Sequence, residues 1–275
     1  MATPAPDRLA GDNPGPWLAP VLRAGTAACF VGHGALGLLR TASWTSYFAV
    51  VGIGREHALA LMPLVGLLDV ALGLSVLVVP IRGVVFYMAA WGAWTAALRP
   101  LAGEPAWEAI ERAGNYGAPL ALALLVPACG CVDGSDTALT AGRRRAIFET
   151  LRLTTFLLLL GHGVLGLVVR KPLLAGQYAQ LGLPGAAVTP LVGGVECLLA
   201  LLVLVRPGPR LLFGVTVWKL ASEALGPLAG ASLWTFVEHG GSYAAPLALA
   251  LLPAASARTQ AVTAATSGSA SPLRP

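Results

Sequence analysis

Apolar residues run through this chain in blocks of about twenty, each closed by proline, glycine or arginine. A helix that spans a bilayer needs about 20 mostly apolar residues. Blocks of that kind can be laid over 21–40, 57–79, 82–101, 107–128, 150–170, 186–205, 209–228 and 233–253. Pro80, Pro100 with Gly103, Pro207 with Pro209, and Pro227 with Gly230 fall between them as breakers. The fourth and eighth blocks begin polar. The expected fold is all-α: a polytopic membrane protein of eight transmembrane helices.

The pattern also repeats. Gly32-His33-Gly34-Ala35-Leu36-Gly37-Leu38 returns as Gly161-His162-Gly163-Val164-Leu165-Gly166-Leu167. Pro63-Leu64-Val65-Gly66, followed by Asp69, returns as Pro190-Leu191-Val192-Gly193, followed by Glu196. Trp91 matches Trp218, Pro100-Leu101-Ala102-Gly103 matches Pro227-Leu228-Ala229-Gly230, and Glu111 matches Glu238. Tyr116 to Leu125 matches Tyr243 to Leu252. Landmarks in one order argue for a tandem duplication into two four-helix repeats, 21–128 and 150–253. Segments 1–20 and 254–275 read as a disordered leader and tail, and 129–149 as a cytoplasmic linker. No cleaved signal peptide is recognisable. An even number of helices per repeat inserts both halves the same way up, related by an axis along the membrane normal.

Composition agrees. The chain is 56% hydrophobic and 11% charged, where soluble domains carry about 25% charged residues; its mean hydropathy is +0.73. The bilayer is therefore its main partner. The net charge of +5 is no nucleic-acid signal, because the arginines sit at block ends. With the N-terminus inside, the inner side collects Arg8, Arg23, Arg82, Arg143, Arg144, Arg145, Arg152, Arg206, Arg210 and Arg258; Arg40, Arg55, Arg99, Arg170 and Lys171 fall outside. That bias puts both termini in the cytoplasm. Cys29 and Cys197 read as small core residues, while Cys129-Gly130-Cys131 lacks the second pair a zinc site needs, so no metal is expected.

Ionisable residues inside a bilayer cost about 2.5–3.5 kcal/mol each on insertion scales and mark function by default. Asp69 and Glu196 sit mid-block, His33 and His162 in the outer halves of blocks one and five, and Glu111 and Glu238 one turn inside blocks four and eight. Two outward pockets are expected, His33/Asp69/Glu111 and His162/Glu196/Glu238. Asn115 and Ser242, four residues after Glu111 and Glu238, would share a helical face with them. Trp91, Trp94, Trp107 and Tyr116 can wall the first pocket; Trp218, Trp234 and Tyr243 the second. Lys219 and Glu223, four apart, can pair; they stand where the first half has Gly92 and Ala96, so the pockets differ. Plainer readings exist for each: a histidine or acid that only bonds a neighbouring helix, a tryptophan of the interfacial belt.

The Pro-x-x-Gly-x-x-acid stretch at Pro63–Asp69, the following Gly73-Leu74, the turn at Pro80-Ile81-Arg82 and four helices per unit resemble DoxX-like membrane proteins. The second unit offers Pro190–Glu196 and then Pro207-Gly208-Pro209-Arg210. The resemblance spans both units, although the family is usually a single unit and the Gly-His-Gly motif departs from it. It implies a bacterial inner-membrane protein linked to quinone-coupled redox, with a redox partner protein. The residues themselves leave four classes open. These are a redox subunit binding a quinone, with His–acid pairs moving protons; a proton-coupled small-solute transporter; a haem held between His33 and His162; and a scaffold.

Overall fold

The computed structural model describes residues 15–127 and 139–252. Cys129 and Cys131, most of the leader and the whole tail lie outside them. The described residues are all-helical: α1 (Leu18–Leu38), α2 (Thr45–Val50), α3 (Arg55–Val78), α4 (Arg82–Leu101), α5 (Trp107–Glu111), α6 (Ala113–Leu125), α7 (Ala141–Leu167), α8 (Pro172–Gln180), α9 (Gly185–Val205), α10 (Pro209–Leu228), α11 (Leu233–Glu238) and α12 (Gly240–Leu251). Five of these, α1, α3, α7, α9 and α10, are long and apolar enough to cross a membrane, which fits a chain that crosses it several times. α4 has the length but carries Trp91, Trp94 and Arg99, which lower its hydropathy.

Expectation and structure part at several boundaries. The fourth and eighth blocks are each two helices, broken at Arg112 and His239, which leave helical geometry with ψ of 16° and 12°. α1 begins at Leu18, inside the expected leader. α7 begins at Ala141, inside the expected linker, because Thr140 caps it by accepting a hydrogen bond from the Arg143 amide. Arg143, Arg144 and Arg145 thus form its first turns. The stretches after α1 and α7 fold into the short helices α2 and α8.

α1, α6, α7 and α12 pack together at the centre; α3 and α4 lie outside α1 and α6, and α9 and α10 outside α7 and α12. The outer faces are bare leucine and valine, as at Leu64, Val78, Leu191 and Val205, which suits lipid.

Glycine sets the close approaches. A Cβ on Gly34 would lie 2.5 Å from the Gly66 carbonyl oxygen on α3, and one on Gly66 would meet Gly34 equally closely. Gly163 and Gly193 do the same for α7 and α9. The other motif glycine faces elsewhere. A Cβ on Gly32 would come within 2.3 Å of the Glu238 amide nitrogen, and one on Gly161 within 2.3 Å of that of Glu111. Each Gly-His-Gly therefore wedges its helix between its own acid-bearing helix and the broken helix of the other half.

Arginines close helix ends. Arg23 donates from Nε to Val76 O at 3.1 Å and from Nη2 to Leu77 O, both in the last turn of α3. Arg143 donates to Leu124 O and, at 2.6 Å, to Val126 O beyond α6. Cations at carbonyl-rich helix ends are favourable.

Candidate functional site

The close packing of α1 on α3 brings His33 Nδ1 to 2.8 Å from Asp69 Oδ2. Asp69 is fully buried, and its other oxygen accepts from Trp91 Nε1 at 3.0 Å. The carboxylate is thereby satisfied on both sides, as a buried charge must be. The His33 ring stacks on Trp44, with centroids 4.5 Å apart. Trp91 as the second donor to Asp69 was not read from the sequence, which cast it as a wall; its register with Trp218 was the available signal.

The second half repeats this plan. His162 Nδ1 bonds Glu196 Oε2, and Trp218 Nε1 donates to Glu196 Oε1 at 3.1 Å. Lys219 Nζ lies 2.6 Å from Glu223 Oε1 and 3.7 Å from Glu196 Oε1. His239 continues the cluster, its Nδ1 3.1 Å from Glu223 Oε2 and its Nε2 3.6 Å from Glu111 Oε1.

The two outer acids are exchanged relative to expectation. Glu111 joins the second-half cluster through His239, and Glu238 lies 3.4 Å from Arg112 of the first half. The cause is the wedge described above, which packs α5 on α7 and α11 on α1. The breaks at Arg112 and His239 also part Glu111 from Asn115 and Glu238 from Ser242, so neither pair shares a face. Tyr116 and Tyr243 span the breaks, donating to Ala109 O at 3.5 Å and Phe236 O at 2.9 Å. They tie the helix after each break to the carbonyls of the helix before it, in place of the expected pocket walls. Trp234 is 39% exposed.

Beside His33 and Asp69 lies a cavity of about 230 Å³. Trp44, Trp91 and Trp94 form aromatic walls, Val65 and Met62 an aliphatic one, and Arg99, Arg112 and Asn115 bring polar groups. Towards the loops, Tyr47 donates to Glu104 at 2.5 Å, and Glu104 also accepts from Arg99 at 3.0 Å. Burial pushes the Tyr47 phenol up to about 12, so it stays a donor. Glu108 then joins the halves, 3.7 Å from Arg99 and 2.6 Å from Lys171.

At the positions of Gly92 and Ala96 the second half carries the buried Lys219 and Glu223, while the residues lining the cavity all come from the first half. The donor atoms of Glu111, Glu223 and His239 lie within 4.8 Å of one another, a spacing that can hold a metal ion. Lys219 already supplies a cation to that group, 2.6 Å from Glu223. His33 and His162 each engage an acid of their own half.

Compared with known proteins, the chain matches no family model, no curated protein and no solved structure.

Proposed function

We propose that this is a DoxX-like membrane protein of eight crossings, built as two four-helix repeats, whose first-repeat cavity binds a quinone or similar lipophilic ring as part of a membrane redox system. One observation carries the ligand reading. The His33–Asp69 pair borders a cavity walled by three tryptophans. Aromatic faces suit a flat ring, and a histidine held by a carboxylate suits proton transfer to and from its oxygens. The duplication is supported by the paired positive-φ residues Arg40 and Arg170, Gly52 and Gly182, and Gly103 and Gly230, which recur in the same order. The arginine bias supports cytoplasmic termini in a bacterial inner membrane.

Small molecules extracted from protein purified in mild detergent test this, with wild type beside His33→Ala and His162→Ala. A quinone retained by wild type and His162→Ala but lost from His33→Ala is expected. Equal quinone content in all three would sink the assignment to this cavity.

A second reading, proton-coupled transport, is favoured by one feature. Buried titratable groups run from His162 through Glu196, Lys219, Glu223 and His239 to Glu111. Such chains serve as proton relays in transporters. Solute-driven proton uptake into proteoliposomes, abolished by Glu223→Gln, would favour it over the redox reading.

A further inference from the structure

We propose that the ligand of the cavity is a membrane-dissolved molecule with one polar ring and a long apolar tail, admitted sideways between α3 and α4. This rests on the reading of the cavity as a ring site and adds the route and the chemical class.

Three observations converge. First, α3 and α4 follow each other in the chain yet scarcely touch, while α3 packs closely on α1 and α4 on α6. The cavity lies in that gap, with Val65 from α3 and Trp94 and Leu98 from α4 on its opposite sides. Its α4 wall is apolar and open, with Trp94 43% exposed. A water-soluble solute would find no polar rim there. Towards the loops, by contrast, Tyr47, Glu104 and Arg99 bridge the cavity with hydrogen bonds.

Second, about 230 Å³ is small beside pockets that enclose a whole drug-sized ligand, about 300–1,000 Å³. It has room for a ring, so a long tail must remain in the lipid outside.

Third, the floor is prepared for an oxygen. Asn115 is only 6% exposed, lines the cavity, and leaves its Oδ1 without a hydrogen bond. Arg112, also lining it, has no partner for Nε. Buried polar groups left this way are costly, and such vacancies call for an explanation. A ring carbonyl accepts from Arg112, and a ring hydroxyl donates to Asn115. One ligand seen in ketone and hydroxyl forms satisfies each in turn.

The test compares a long-tailed ubiquinone with its tail-less ring analogue, binding the full chain in nanodiscs. Leu61→Trp, four residues before Val65 on the same face of α3 and outside the cavity lining, narrows the gap without filling the ring site. It is expected to weaken the long-tailed ubiquinone at least about tenfold while changing the ring analogue less than about twofold. Leu101→Trp, three residues after Leu98 and likewise outside the lining, does the same from α4 and stands in if Leu61→Trp fails to fold. Asn115→Ala should weaken both ligands, by roughly five- to tenfold, as loss of one hydrogen bond does. Equal effects of the portal variants on both ligands, or none, would overturn the sideways route. Wild-type protein that binds neither molecule would instead overturn the ring-site reading itself.

Discussion

At the residue scale, the two halves solve one problem in two ways. A carboxylate inside the bilayer must be neutralised or fully bonded. Asp69 has His33 and Trp91; Glu196 has His162, Trp218 and a nearby ammonium from Lys219. The histidine–acid pairing was legible because both members repeat in register. The exchange of Glu111 and Glu238 was not, because it depends on which helices cross, and no residue spacing reports that. Asp69→Asn keeps the shape and loses the charge-assisted bonds, so it should lower stability by about 1–3 kcal/mol and weaken ligand binding more than the corresponding Glu196→Gln; thermal unfolding in detergent and ligand titration read the two effects. Lys219→Met leaves Glu223 and Glu196 buried without their cation and should cost about 3–5 kcal/mol. Adding Glu223→Gln should recover much of that loss, and a double-mutant cycle in which the two changes simply add would refute the pairing.

At the scale of elements, glycine placement decides the packing. The Gly-His-Gly motif invited attention for its histidine, yet its glycines do as much. Gly34 lets α1 reach α3, and Gly32 lets α1 reach the break after α11. Their neighbours are backbone atoms, which cannot rotate away, so Gly34→Ala should destabilise by about 1–3 kcal/mol as overpacking does and loosen the His33–Asp69 bond with it. Gly214, within α10, meets nothing within 4 Å. Gly214→Ala removes only the helix penalty of glycine and should stabilise by about 0.5–1 kcal/mol. Equal effects of the two in a melting experiment would show that backbone contact is not what Gly34 provides. The breaks at Arg112 and His239 escaped the sequence reading because each falls inside an otherwise continuous block, although local signals for them exist. Each break is followed by glycine and a small polar residue, Gly114-Asn115 and Gly240-Gly241-Ser242, and the residue at the break pairs across the halves with Glu238 or Glu111.

At the scale of the molecule, the number of crossings ties composition to the cavity. Helices α1, α3, α7, α9 and α10 qualify as spans by length and apolarity; α4 falls short because it carries Trp91, Trp94 and Arg99, and α5–α6 and α11–α12 because each is broken into two short helices. The eight crossings proposed above require α4 and both broken pairs to span as well. Eight crossings make a definite demand on sidedness. The turn after α3, at Pro80, and the turn after α9, at Pro207, must share a face. Ser43 and Gly182, in the connections after α1 and α8, must share the opposite one. With the native cysteines replaced by alanine, Pro80→Cys and Pro207→Cys should react with a membrane-impermeant maleimide only in inside-out vesicles. Ser43→Cys and Gly182→Cys should react only in right-side-out ones. If only one of α4 and α5–α6 crossed, the second half would insert inverted, and Pro207 and Gly182 would exchange faces while Pro80 and Ser43 kept theirs. The mirrored chemistry of His33–Asp69 and His162–Glu196 would then stand at opposite depths, and the packing of α1 against α11 and of α7 against α5 could not both form. The labelling pattern therefore tests the parity of the crossings and the exchanged acids together, and Gly103→Cys, between α4 and α5, which should react only in right-side-out vesicles, tests whether α4 crosses at all.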